Sequence, residues 1–371
     1  MDCKTQSQFT VAHMLSERHD NNSISHWLTE WTRNKIILPK IVVTDQSKAL
    51  MMAVIKSFTQ YSSLSKYLSI CSSLLLKKSE VEIPHCMLRN DFNHTMKLLS
   101  SWPEIKNSSY RIKNFYLRSI GLVIASKDFN DIKYLLECIF TVALNEEDGY
   151  VSNNIPNACE IAKNYLKQRI LSHLVINQET VYSSDENNIE GQDTELDSDH
   201  LLNELGDENS IFKIIQNVYN NCLEESHSHK NQGNHDNMQY CPMIAKKLLQ
   251  FSKLIPCWSA VMVSIFKYGG ITETSASSES LFNDLKNRTF KHKTLPLRVD
   301  DFIQIHIDIL GSMKIVGAKQ NTDTENRNNI ENKGDEIKKD KLFDPIQDLS
   351  VHCEQIEKSV LLNEKVQYNE I

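Results

Sequence analysis

The run at 41–44, Ile-Val-Val-Thr, is followed at once by Asp45, then by a helical pattern with apolar Leu50, Ala53, Val54 and Phe58. Short, β-branched and opened by Pro39, the run reads as a buried strand. An acid at the carboxyl end of such a strand stands where open α/β sheets keep their ligands. It is also a favoured N-cap for the helix that follows. One carboxylate can do both, and both readings stand. Glu279 is a second acid, in the first turn of a helix opened by 274–279; on its residues alone it is an exposed acid favoured by the helix dipole. Asp91 and His94 lie three apart on one helical face, with Cys86 just upstream, so the two can meet. The alternative is a capping Asp91 with a partly buried His94. Lys286, Arg288, Lys291, His292, Lys293 and Arg298 form a basic stretch around Phe290. It suits phosphates, or equally a solvated helix face. His227, His229, His235 and Cys241 sit in a polar spacer without the tight ligand pairs of structural zinc.

Positioning such residues requires a core. The chain has 371 residues, of which 40% are apolar and 24% charged, enough for about two domains. Ten glycines and eight prolines favour long helices over a turn-rich β fold. A net charge of −7 excludes an overall positive field, so nucleic-acid contact must use a local basic patch. The nine cysteines form no CxxC pairs and their count is odd, which indicates reduced thiols in an intracellular protein. The apolar stretches 116–125 and 255–266 are too short for a membrane span, so no membrane partner is expected.

Along the chain, 1–8 reads as a disordered start and 9–12 as the remnant of one strand. Helices are expected around Ile24–Trp31, over 46–59 and over 64–76. A strand candidate covers 81–88, with Pro84 marking an edge or bulge. The segment 86–94 opens a helix through Met96 and Leu99. From 106 to 176 the pattern is helical by period, without turn-signalled strands. Residues 177–237 read as an acidic and polar linker with a short helix. Residues 238–318 return to helix, and 319–371 are disordered or weakly helical. Trp258 and Phe266 read as core.

In this order the stretches "PKIVVTDQSKALMMAV", "IPHCMLRNDFNHTMKLL", "FYLRSIGLVI" and "IPCWSAVMVSIFKYGGITETSASSESLFNDLKNRTFKHKTLPLRVDDFIQIHI" resemble Mutator-like transposases, in the branch associated with foldback elements. The resemblance covers 9–178 and 238–319. It implies an α/β fold, mostly helical overall. A truncated RNase H-like core (9–105) carries a large all-helical insertion (106–176, resuming at 238), and the final catalytic helix lies within 238–318. It also implies Mg2+, DNA as partner and a nuclear location, and it is compatible with a homo-oligomer. Hard Mg2+ prefers carboxylate oxygens, and two ions about 4 Å apart drive in-line phosphoryl displacement. By resemblance Asp45 matches the second catalytic aspartate and metal ligand, and Glu279 the final one. Lys286, Arg288, Lys291, Lys293 and Arg298 become candidate DNA contacts. Relatives carry Cys-x-x-His after the next strand. Here Cys86 has Arg89 three residues on and the histidine comes at His94, so Cys86, Asp91 and His94 are accessory candidates.

The resemblance also implies a first strand with the first aspartate, then a hairpin. Forty residues precede the 41–44 run, and Asp2 and Asp20 match neither position. The expectation is a chain lacking its first metal ligand and two central strands, inactive alone, with an apolar strand edge open to pairing. Two other readings compete: a repurposed non-catalytic DNA-binding module, and a helical protein-interaction protein.

Overall fold

Two short strands organise the first part of the molecule: β1 (Ile41–Thr44) and β2 (Met87–Asn90). They run parallel, with Ile41 opposite Met87 and Thr44 opposite Asn90. Met87 N donates to Lys40 O at 2.8 Å and Asp91 N to Thr44 O at 2.7 Å, which locks the register. The computed structural model describes residues 14, 16, 20–33, 37–77, 81–152, 154–176, 202, 205, 210–228, 232–271, 273–284, 287–288, 290–291, 298–305 and 307–308. The expected strand at 9–12, the start at 1–8, most of 177–209 and the tail 319–371 lie outside them. Among the described residues the β1–β2 sheet has only these two strands. Every residue of β2 is buried, whereas Ile41, Val42 and Val43 of β1 are half-buried.

The strands are covered as a parallel pair must be, by helices. α1 (Asn21–Arg33) turns Ile24 and Leu28 inward and packs on α2 (Lys48–Phe58), which lies against both strands. Asp20 is the start signal of α1, since its Oδ1 accepts Ser23 N at 2.8 Å. α3 (Leu64–Leu75) carries Tyr67, whose hydroxyl accepts Leu88 N at 3.0 Å. The strand expected at 81–88 is displaced toward the C-terminus. Pro84 has no N–H to give a ladder, and the pairing with β1 instead selects Met87–Asn90.

After β2 come α4 (Phe92–Ser101), α5 (Pro103–Lys106), α6 (Tyr110–Ala125) and α7 (Phe129–Leu144). α7 is the hub of the helical block. Asp128 caps it, and Ile132, Leu135, Leu136, Ile139 and Phe140 recur at three- and four-residue steps and are all buried. α6, α8 (Ala158–Ile176), α9 (Ser210–Ser226) and α10 (Pro242–Phe251) all pack on it. The helix expected inside the 177–237 linker is α9, which buries Ile211, Phe212, Ile215, Val218 and Cys222 in the core.

The segment expected to be all-helical, 106–176, is not. β3 (Glu147–Asp148) pairs antiparallel with β6 (His235–Asp236), and β4 (Tyr150–Ser152) with β5 (Ile155–Pro156). Gly149 at φ +88° and Asn154 at φ +75° make the turns, left-handed positions that glycine and asparagine tolerate. Asn237 pins this knob down, donating to Val142 O at 2.6 Å and to Asn145 O at 2.7 Å.

A helical run then goes from α10 through α11 (Ile255–Trp258) to α12 (Val263–Phe266). By length and composition alone Pro242–Phe266 would serve as a membrane span, longer than the 255–266 stretch read from sequence. Most of it is buried inside the fold: Trp258 stacks on Phe251 at 5.1 Å, and α11 packs on β2. Last in this unit is α13 (Ala276–Asp284). The chain divides into two compact units, 1–289 and 290–371. In the second, residues 299–305 are helical and the rings of Phe290 and Phe302 lie 5.5 Å apart.

Candidate functional site

Because β1 and β2 are parallel and in register, Asp45 and Asp91 leave the same end of the sheet, its carboxyl end. Asp45 is half-buried. Its Oδ1 accepts Ser47 N at 3.0 Å in a local turn, and the N-cap position of α2 falls to Ser47. Asn90 Nδ2 reaches Asp45 O at 3.3 Å, and Gln46 Nε2 donates to Thr95 Oγ1 at 3.0 Å. Thr44 Oγ1, Gln46 Oε1 and Asn90 Oδ1 are buried at this end without a hydrogen-bond partner.

Asp91 takes the capping role. Fully buried, its Oδ1 accepts His94 N at 2.7 Å and so caps α4. Its Oδ2 accepts Ser275 N, in the residue just before α13. One carboxylate thus serves two helix starts. Burial would raise its pKa, but the His94 and Ser275 N–H groups outweigh that and hold the carboxyl below its ordinary value.

His94 joins this cap to Glu279. Its Nδ1 lies 3.1 Å from Asp91 Oδ1 without hydrogen-bond geometry. Its Nε2 lies 3.5 Å from Glu279 Oε1. Asp91 is out of solvent, His94 about one-third exposed and Glu279 half exposed, so the row runs from the core to the surface. The contact joins the start of α4 to a helix that follows α5 through α12 in the chain.

Cys86 stands apart from this row. It is fully buried, and burial pushes its thiol up to about 12, so it behaves as a core residue instead of a thiolate ligand. Lys286 and Lys293 lie outside the described residues. Arg288 is exposed in the first unit; Lys291 and Arg298 are exposed in the second, where Arg298 hydrogen-bonds Asp300 at 2.8 and 3.1 Å. His235 is in β6 and Cys241 precedes α10.

The unpartnered oxygens of Thr44, Gln46 and Asn90 are hard donors of the sort Mg2+ takes. Among the described residues, however, no three His, Cys, Asp or Glu side chains converge to hold a metal ion. Asp91 is committed to the α4 cap and to Ser275 N. The described residues alone do not make a complete Mg2+ site.

Sequence reasoning missed the loop that brings α13 here. Phe92 N donates to Glu273 O at 2.8 Å, Asn93 Nδ2 to Thr274 Oγ1 at 3.1 Å and Arg89 Nη2 to Ile271 O at 3.1 Å. One signal was available: Gly269-Gly270 marks a special turn before Ser275.

The chain is similar to the "120.7 kDa protein in NOF-FB transposable element" of Drosophila melanogaster, with 27% identity over 302 residues. The match covers 81% of this chain and 27% of that protein, so the chain spans about a quarter of its relative's length. The similarity supports a transposon-derived origin. No family model matches the chain, and no solved structure matches it.

Proposed function

We propose that this transposon-derived chain descends from a metal-dependent DNA strand-cleavage and strand-transfer enzyme of the Mutator-like kind, with an RNase H-like core. Asp45 and Glu279 are the remaining acids of its Mg2+ site. The chain acts on DNA in the nucleus and does not cut it alone. The observation that carries this reading is the return of α13 to the strand pair: Glu279 meets His94 at 3.5 Å, at the same end of the sheet as Asp45. α13 is an exposed helix, and its first turn is brought back to the strand pair at the His94–Glu279 contact. The transposable-element relative supports the same reading. DNA contact falls to Lys286, Arg288, Lys291, Lys293 and Arg298. Phosphate contacts of this type weaken as salt rises, because each one releases a counterion.

A second reading, a DNA-binding module without cleavage, is favoured by the use of Asp91 for capping α4 and holding Ser275 N. Two measurements decide. Duplex DNA binding is followed against salt for the wild type and for Lys291→Ala/Lys293→Ala; the slope of log affinity against log salt should fall by about 1 for each lysine. Absence of binding at low salt removes both readings. Nicking of supercoiled plasmid is then assayed with Mg2+ or Mn2+. The chain alone should not nick, and nicking that disappears in Asp45→Ala would show the site to be complete.

A further inference from the structure

Arg89 is a cation in the middle of β2, with only 1% of its surface exposed. It donates Nη2 to Ile271 O at 3.1 Å, while Nε and Nη1 are buried with no partner. Burial lowers the guanidinium pKa, and the nearby Glu273 charge opposes that. An apolar residue would fill this place without desolvating a charge or orphaning two donors. The charge is therefore best explained by what it holds.

What it holds is the strap formed by 269–271 and 273–275. Gly269, at φ +95°, lies so close to the strands that a Cβ would come 2.6 Å from Met87 Cε and 3.3 Å from Ile41 Cδ1. Glu273 turns back on the strap, its carboxylate accepting Gly270 N, and its carbonyl takes Phe92 N. The far end is Ser275, on Asp91 and immediately before α13. Arg89 and Asp91 are two residues apart on and just after β2, and each fixes one point of the strap. Asp91 fixes the helix start; Arg89 fixes the approach to it.

We propose that Arg89 is a positioning residue for Glu279. Its buried charge, balanced by Glu273, clamps the strap onto β2 and so sets where α13 presents its acid to His94. The importance of that acid rests on the function proposed above, but the clamp itself is tested without DNA or metal. Amide hydrogen exchange of the full chain is compared for wild type, Arg89→Met, Arg89→Lys and Glu273→Gln. In Arg89→Met, peptides spanning 269–284 should exchange at least about tenfold faster, equivalent to about 1.4 kcal/mol of local opening, while peptides from α2 and α7 keep their rates. Arg89→Lys should restore most of the protection, because it keeps the charge. Glu273→Gln, outside β2, should speed the same peptides by a smaller factor and leave the core unchanged. Unchanged exchange at 269–284 in Arg89→Met overturns the proposal, as does equal acceleration everywhere. Loss of protection in Arg89→Lys as large as in Arg89→Met overturns the role of charge. If Arg89→Met fails to fold, Arg89→Gln, which removes the charge and keeps a donor, decides: faster exchange confined to 269–284 supports the clamp, and unchanged exchange there refutes it.

Discussion

Removing the Asp91 carboxylate should unlatch two helices at once. In Asp91→Ala, His94 N loses an acceptor at 2.7 Å and Ser275 N loses the other carboxylate oxygen. A hydrogen bond to a charged group contributes about 1.5–3 kcal/mol, and loss of an N-cap typically costs about 1 kcal/mol. His94 is partly solvated, so water recovers part of the first loss. The total should be about 3 kcal/mol, which for a unit of this size lowers the melting temperature by about 5 °C. Circular dichroism melts measure it directly. Asp91→Asn separates the two ends of the latch. An amide keeps one acceptor oxygen but turns an NH2 toward the other N–H, so one cap survives and one is lost. It should cost about half as much as Asp91→Ala, and the remaining loss should show as faster amide exchange in α13 or in α4, not both. An Asp91→Ala protein melting within about 2 °C of wild type would refute this assignment of the cap.

Other consequences follow from the same geometry. The Asp91 carboxyl is held below its ordinary value, so its contribution to stability is complete above about pH 4, the unfolded aspartate range, and is lost as pH falls through the lower folded value. Denaturant midpoints should therefore drop on acidification more in the wild type than in Asp91→Asn. Trp258→Ala removes a buried ring stacked on Phe251 whose Nε1 donates to Phe251 O at 3.0 Å; chemical denaturation should show a loss of about 3–5 kcal/mol. Gly269→Ala sets a side chain at φ +95° over Met87 and should cost about 1–3 kcal/mol, with faster exchange confined to 269–284.

Much of the helical framework was legible because it rests on local period and caps. The 129–144 helix declares itself by its apolar spacing after Asp128, and Asp91 was readable as a cap three residues before His94. The 41–44 strand was equally plain. β2 was not, because Met-Leu-Arg-Asn looks half polar, and only pairing with β1 explains why Arg89 and Asn90 are buried. Asp45 was readable as a helix cap, yet its side chain turns to Ser47 N and leaves the cap position to that serine. The small strands at 147–156 were hidden by their length, although Gly149 and Asn154 carried a turn signal. The contacts of Arg89 with Ile271 and of Asp91 with Ser275 join segments more than 180 residues apart in the chain. No local pattern encodes such a contact.

The proposed function requires α13 to hold its acid beside the first turn of α4. Cysteines placed at 94 and 279 and treated with a short bis-maleimide test this most directly, with each single variant as control. The predicted result is an intramolecular cross-link, identified as a joined peptide by mass spectrometry in the native chain and lost in denaturant. A native, folded double variant that gives no such peptide would contradict the account, because Glu279 would then lie elsewhere.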